Sequence, residues 1–318
     1  MKRSTIVVGS GVSGLSCALA LQEAGFEVQV WYAQSAEDST SAVAAAIWYP
    51  YKVEQDERVM RWALDSLQVF RGLSDAPQSG VLMRQGLELF AASEPPTPWR
   101  RWLGSTRELA AAELPSGYSS GWEFALPVIE MPVYLPYLRR RFESAGGVLV
   151  QKNLAHLDPA CAQAPLVVHC AGLGARELVG DRSMYPIRGQ VLWVERGQVE
   201  RFVLDDFNPS GPTYVVPRGK DCVLGGTAEE GASELIYDSQ AAQSILERCT
   251  RLSPGLAGAR ISGQRVGLRP GRPSVRLERE DRPGGGTVIH NYGHGGAGVT
   301  LSWGCAAEVL RLARSSFS

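Results

Sequence analysis

Thr5-Ile6-Val7-Val8 runs directly into Gly9-Ser10-Gly11-Val12-Ser13-Gly14, and a helix-patterned stretch from Leu15 to Glu23 follows. No other segment of the chain limits the fold as tightly. The β-branched run suits a strand buried on both faces. Gly25 stands where the helix should stop, and Glu27 to Tyr32 reads as the next strand. The whole is the opening of a βαβ unit, in which a Gly-x-Gly-x-x-Gly turn holds a dinucleotide. Gly9 permits the tight turn, Gly11 lets a pyrophosphate approach the backbone, and Gly14 allows close helix–strand packing. Val12 and Ser13 begin the helix, whose free N–H groups and positive end suit an anion.

About twenty residues beyond such a turn an acidic residue usually binds the ribose. Here that place falls on Gln34, with Glu37 and Asp38 beyond the strand end. Gln34 remains able to hydrogen-bond a hydroxyl. The fingerprint alone does not choose between NAD and FAD.

Composition narrows the class. Thirty-two basic and 33 acidic side chains leave a formal charge of −1, which gives no footing to nucleic-acid binding. Lys2-Arg3 and the following apolar residues imitate a signal peptide, but the fingerprint glycines interrupt the apolar core. The longest wholly apolar run, Ala42 to Trp48, is far short of the roughly 18 residues that span a bilayer. Six cysteines without a CxxC pair read as reduced thiols in a cytoplasmic protein, and no zinc-spaced ligand set accompanies them.

Further on, Arg58 to Phe70 and Val133 to Ala145 read as helices, and Val81–Met83 and Leu87–Phe90 as two short strands. Val148–Val150 and Leu166–Cys170 are buried strands. From about 183 to 265 strands dominate, followed by a polar helix at Asp238 to Leu252 and an α/β tail. Nucleotide-type segments recur at the start, middle and end. The expected fold class is therefore α/β, a Rossmann-like dinucleotide domain (1–52, 127–182 and 266–318) interleaved with a mainly antiparallel β-sheet substrate domain (53–126 and 183–265).

Several segments, spread from Ser39 to Gly298, resemble the D-amino-acid oxidase family of FAD enzymes. They are Ser39 to Tyr51, Arg188-Gly189-Gln190, Tyr214-Val215-Val216-Pro217, Leu224-Gly225-Gly226-Thr227, Gly267 to Pro273, and His290-Asn291-Tyr292-Gly293-His294-Gly295-Gly296-Ala297-Gly298. The resemblance implies FAD as cofactor, with Ser39, Thr40, Ser41, Ala45, Ala46 and Ile47 in a second contact loop. Gly295, Gly298, Val299 and Thr300 fall where that family's backbone approaches the flavin. Arg269 corresponds to the clamp on the substrate α-carboxylate, Tyr214 to its supporting tyrosine, and Gly296 to the carbonyl facing the amine.

Elementary chemistry agrees with these roles. A guanidinium is a planar, permanent fork for a carboxylate, and a helix starting near Thr300 can face the flavin edge that becomes anionic. No general base stands out, and hydride transfer from a neutral amine needs none. His294 among glycines reads as a loop hydrogen-bonder, and Arg265, Arg272 and Arg276 as a solvated or ion-paired strand face.

Two departures bear on the substrate. The lid segment, Leu204 to Thr213, is short and has Ser210 near a second tyrosine position. Ala228 stands where the related D-aspartate oxidases carry an arginine. Ile47, Tyr49 and Val216 would line an apolar side-chain pocket. The reading is an FAD-dependent oxidase of neutral D-amino acids, using molecular oxygen and releasing a 2-oxo acid, ammonia and hydrogen peroxide. D-aspartate oxidase and a glycine- or sarcosine-type amine oxidase are the alternatives within flavin chemistry. An NAD-dependent dehydrogenase and a non-enzymatic flavin scaffold lie outside it. The oligomeric state stays open, a homodimer included.

Overall fold

A computed structural model describes residues 4–54, 56–92, 97–283 and 285–316. Two sheets organise them. The first has six strands in spatial order Arg276–Asp281, Thr287–Tyr292, Leu166–His169, Ser4–Val8, Glu27–Tyr32 and Val148–Gln151. Five run parallel, and only Arg276–Asp281 is antiparallel to its neighbour. Along Ser4–Val8 the side chains alternate between the two faces, as a pleated strand requires. Val7 joins the main core with Leu15 and Val30, whereas Ile6 and Val8 pack with Trp31, Leu157 and Val288 on the other face.

Helix Val12–Glu23 leaves the first strand and packs against the last helix, Gly298–Arg314, which also carries Glu57–Leu73. Asp56 caps Glu57–Leu73 by accepting from the Val59 N–H at 2.7 Å. Among the described residues no helix is long and apolar enough to cross a membrane.

The second sheet has nine strands and is mainly antiparallel, with one parallel pairing between Val81–Phe90 and Phe202–Asp205. Its centre is Tyr185–Glu195, paired along its length with Ile261–Gly271 on one side and with Asp221–Gly225 on the other. Thr213–Pro217 lies beyond Asp221–Gly225, and helix Ser239–Leu252 covers one face through Ala242, Ile245 and Cys249. This is the α/β class expected from the sequence, with the parallel and antiparallel sheets built from alternating stretches of chain.

One element differs from expectation. Residues 81–90 form a single ten-residue strand, not two short ones. Its polar middle, Arg84-Gln85-Gly86, is held by an unbroken antiparallel ladder to Leu126, Ala125 and Phe124. Gly86 is needed at this crossing, since a Cβ there would lie 2.3 Å from the Phe202 ring. Pairing, not local hydrophobicity, keeps the strand whole.

Candidate active site

The Gly-rich turn closes the first strand. Gly9 has φ +113°, and a Cβ on Gly14 would sit 1.9 Å from the Gly9 carbonyl oxygen. Gly11 is the N-cap of helix Val12–Glu23; it provides no side-chain cap, and no acidic residue lies in the first turn. Ser41 Oγ accepts from the Val12 N–H at 3.1 Å, and Ser10 Oγ donates to the Gln34 carbonyl at 3.1 Å. The Gln34 side chain is exposed at the rim, and Ser13 is half-buried. Thr40 Oγ1 donates to the Leu268 carbonyl at 2.9 Å, so the second loop is tied to the strand that carries Arg269. In that loop Ser39, Ala45 and Ile47 are half-buried, and Ala46 adopts φ +51°.

Helix Gly298–Arg314 starts in the same manner, from Ala297, with no side-chain cap and no acid in its first turn. Val8 pairs with His169, and His169 with His290, so the strands before both helices end on the same edge, within two residues of one another. Two positive helix ends whose N-cap residues bring no capping side chain therefore open on the same edge of the parallel sheet. Val299 is buried, and Thr300 Oγ1 donates to the Tyr49 carbonyl at 2.9 Å while accepting from the Tyr49 N–H at 3.1 Å. At Gly295 and Gly296 the Cβ direction is filled by the 51–52 segment, with the Lys52 oxygen at 1.9 Å and Tyr51 Cδ1 at 2.4 Å. The His294 ring is tied to Asn291 Oδ1 at 2.9 Å, and burial lowers its pKa to about 4, so it is a neutral structural group.

Arg269 is half-buried on strand Ile261–Gly271. Its Nη1 donates to the Thr227 carbonyl at 3.2 Å, and its guanidinium lies 5.6 Å from the centre of the Tyr51 ring. Among the described residues no carboxylate forms an ion pair with it. Its neighbours in sequence are occupied or remote: Arg272 pairs with Asp181 at 3.0 Å, Arg276 with Glu278 at 2.7 Å, and the exposed Arg265 lies over Trp193. Tyr214 stands beside Arg269. Its phenol pKa is raised, chiefly by burial, with Arg269 opposing the rise, so it is protonated and able to donate. Burial likewise dominates a rise at Tyr51, whose buried hydroxyl has no hydrogen-bond partner among the described residues.

Two glycines on neighbouring strands make room for this pair. A Cβ on Gly189 would lie 2.1 Å from Arg269 Nη1, and one on Gly225 would lie 1.9 Å from the Tyr214 ring. The Gly189 contact is with the mobile end of an arginine. Gly189→Ala should therefore preserve the fold and flavin content while raising KM for an amino-acid substrate about tenfold or more, through displacement of the clamp. Steady-state kinetics beside a visible spectrum checks this.

Val216 lies two residues from Tyr214 on the same strand, fully buried in the core cluster that also holds Tyr49 and Leu204. Tyr49 brings its hydroxyl as well as its ring: it donates to Glu88 Oε1 at 2.8 Å, and Glu88 pairs with Arg100 at 2.8 Å. The Tyr49 hydroxyl also interacts with Asp206, the residue after strand Phe202–Asp205. Ser210 is exposed, and Ala228 half-buried. Sequence reasoning singled out Arg269 and Tyr214, which lie side by side, and Tyr49 and Val216, which share a large core cluster with Tyr214. It missed Tyr51, Glu88, Arg100 and Asp206. Tyr51 had a signal, since it ends the second-loop motif.

The FAD dependent oxidoreductase family model matches residues 4–312. The chain belongs to that family. It is 52% identical to a D-amino-acid oxidase of Rubrobacter xylanophilus, over 98% of this chain and 96% of the relative. It is 43% identical to a D-amino-acid oxidase of Streptomyces coelicolor, over 97% and 96%. The fold is also that of glycine oxidase from Geobacillus kaustophilus, at a TM-score of 0.83 and 18% identity, covering 98% of this chain and 94% of that one. This FAD-dependent oxidoreductase has a site that suits its cofactor. The two acid-free helix starts on one sheet edge fit a group with a pyrophosphate at one end and a ring that gains negative charge at the other.

Proposed function

We propose that the chain oxidises neutral D-amino acids to imino acids, which hydrolyse to 2-oxo acids and ammonia, with oxygen reduced to hydrogen peroxide. The observation that carries this reading is Arg269, a half-buried guanidinium without a carboxylate partner among the described residues, beside the phenol of Tyr214. A cation left in such a place is costly until an anion arrives, and a planar fork selects a carboxylate. The names of the relatives at 52% and 43% identity support the D-amino-acid assignment.

FAD, when bound, supplies acceptance of a hydride from Cα and return of two electrons to oxygen. The chain supplies position. Gly9, Gly11, Val12, Ser13 and Gly14 would hold the pyrophosphate, Gln34 a ribose hydroxyl, and Ser39 to Ser41 with Ala45 to Ile47 the middle of the cofactor. Gly295, Gly298, Val299 and Thr300 would flank the flavin. Arg269 and Tyr214 hold the substrate carboxylate, the Gly296 carbonyl accepts from the amine, and Tyr49, Ile47 and Val216 enclose the side chain. The neutral, buried His294 takes no proton from substrate. The cofactor unit would comprise 1–52, 127–182 and 266–318, and the substrate unit 53–126 and 183–265. Six free thiols suit a cytoplasmic setting.

Anaerobic titration of the yellow protein tests the reading. D-alanine should bleach the flavin, L-alanine should not, and air should restore the colour with one peroxide per turnover. Bleaching by sarcosine but not D-alanine would move the activity to the secondary-amine class.

A further inference from the structure

We infer that Arg248 is a positioning residue for the substrate carboxylate, holding the Gly225-Gly226-Thr227 turn against which Tyr214 and Arg269 rest. The inference rests on the oxidase reading and adds a residue to its substrate site. Helix Ser239–Leu252 turns Ala242, Ile245, Arg248 and Cys249 toward the antiparallel sheet, so this arginine is buried beside an apolar cluster. Its guanidinium has partners on three segments. Nε donates to Thr213 Oγ1 at 3.0 Å, Nη1 to Ser244 Oγ at 2.7 Å and Nη2 to the Gly226 carbonyl at 3.1 Å.

None of these partners is a carboxylate, which sets Arg248 apart. The other arginines buried among the described residues each meet an acid: Arg100 meets Glu88 at 2.8 Å, Arg188 meets Glu229 at 2.8 Å, and Arg218 meets Asp221 at 2.6 Å. Burying a cation on neutral acceptors costs stability, and a methionine of similar length would fill the space without desolvating a charge. What only the guanidinium offers is a rigid fork that spans the three segments.

The Gly226 carbonyl belongs to the turn that shapes the carboxylate site. In the next residue the Thr227 carbonyl accepts from Arg269 Nη1 at 3.2 Å, and Thr227 Oγ1 accepts from the Gln190 N–H at 3.0 Å. A Cβ on Gly225 would lie 1.9 Å from the Tyr214 ring and one on Gly226 2.9 Å from its hydroxyl, so the phenol lies directly on this backbone. The Gly226 N–H donates to the Pro212 carbonyl at 2.5 Å. Thr213, another partner of Arg248, immediately precedes Tyr214 and donates to the Gly211 carbonyl at 3.1 Å. Arg248 thus ties three things to one helix: the end of the lid segment, the strand of Tyr214, and the turn under both carboxylate-binding side chains. Without the fork the turn is free to shift, and with it the spacing of Arg269 and the Tyr214 hydroxyl to which a carboxylate is matched.

Propionate, which is alanine without its amine, reads the carboxylate site without turnover, through the change it makes in the flavin spectrum of the holoenzyme. In Arg248→Met its Kd, and the KM for D-alanine, should rise about tenfold or more while kcat falls by less than about threefold. FAD affinity should hold, because the two helix starts that suit the cofactor stand on the other sheet. Arg248→Lys keeps the cation but not the fork, so it should raise both constants about threefold or more, and by less than methionine does. The lysine variant decides alone if Arg248→Met folds poorly. A lowered unfolding temperature with Kd and KM within about twofold of the parent would make Arg248 a packing residue and overturn the inference. So would an equal loss of FAD affinity, which marks general loosening, or a fall in kcat alone. If D-alanine bleaches the parent while the variants bind propionate as it does, the oxidase reading survives alone. If the parent neither bleaches with D-alanine nor responds to propionate, both fail.

Discussion

Arg269→Lys should lower kcat/KM for D-alanine about a thousandfold, a loss of about 4 kcal/mol in transition-state stabilisation, with the protein still yellow. Charge alone does not explain this magnitude, because lysine keeps it. Shape does. The guanidinium lies in a slot whose floor is Gly189, with one N–H spent on the Thr227 carbonyl and its face toward Tyr51. A single ammonium cannot hold that carbonyl and also offer two parallel N–H groups to a carboxylate. It would rotate and shorten the reach, so the substrate Cα would no longer be held in line with the flavin. Steady-state kinetics with flavin content measured in parallel checks the result. A loss below tenfold would remove Arg269 from the carboxylate site.

The same arginine shows how much of the site is legible in sequence. Arg265, Arg269, Arg272 and Arg276 are chemically alike along the chain. Resemblance to a family motif picks out Arg269, but only tertiary packing explains why it differs: Asp181 and Glu278 take its neighbours, and among the described residues no carboxylate pairs with it. The Gly-rich turn is different in kind. Strand, turn and helix are all local there, so spacing alone locates one end of the cofactor site. Glu88, Arg100 and Asp206 sit at the opposite extreme. Glu88 lies on strand Val81–Phe90, Arg100 in the short helical turn Pro98–Trp102 and Asp206 just past strand Phe202–Asp205, and long-range pairing such as that of Val81–Phe90 with Phe202–Asp205 brings these segments together. Their sequence surroundings carry no trace of that. Misreading Val81–Phe90 as two strands has the same origin, because its polar centre is stabilised by a partner forty residues on.

Removing Arg100 should produce the largest stability change, about 3 to 5 kcal/mol, seen as a fall of roughly 5 to 10 °C in the unfolding temperature of the holoenzyme. Arg100 and Glu88 are 7% and 2% exposed, so neither charge is well screened by water. The guanidinium also packs 4.3 Å from the Trp122 ring centre, and Arg100→Met preserves much of that apolar contact while removing the charge. What it leaves is a buried carboxylate on Glu88 with the Tyr49 hydroxyl as a donor. Such a group relieves itself by binding a proton, so its folded pKa would lie above its unfolded value of about 4.3. A raised carboxyl pKa confers stability at low pH that is lost as pH rises through the folded pKa. The deficit of Arg100→Met should thus be widest at neutral and alkaline pH and narrow toward pH 5. Adding Glu88→Leu should recover most of it, since an apolar pair of similar volume replaces an ion pair at little cost. A deficit independent of pH, or one that the double variant does not repair, would mean that Arg100 acts through packing on Trp122 and not by neutralising Glu88. Tyr49 gives the site its own readout of this pair. With Glu88 altered, its hydroxyl loses the acceptor that fixes it at 2.8 Å, and KM should rise more than kcat falls.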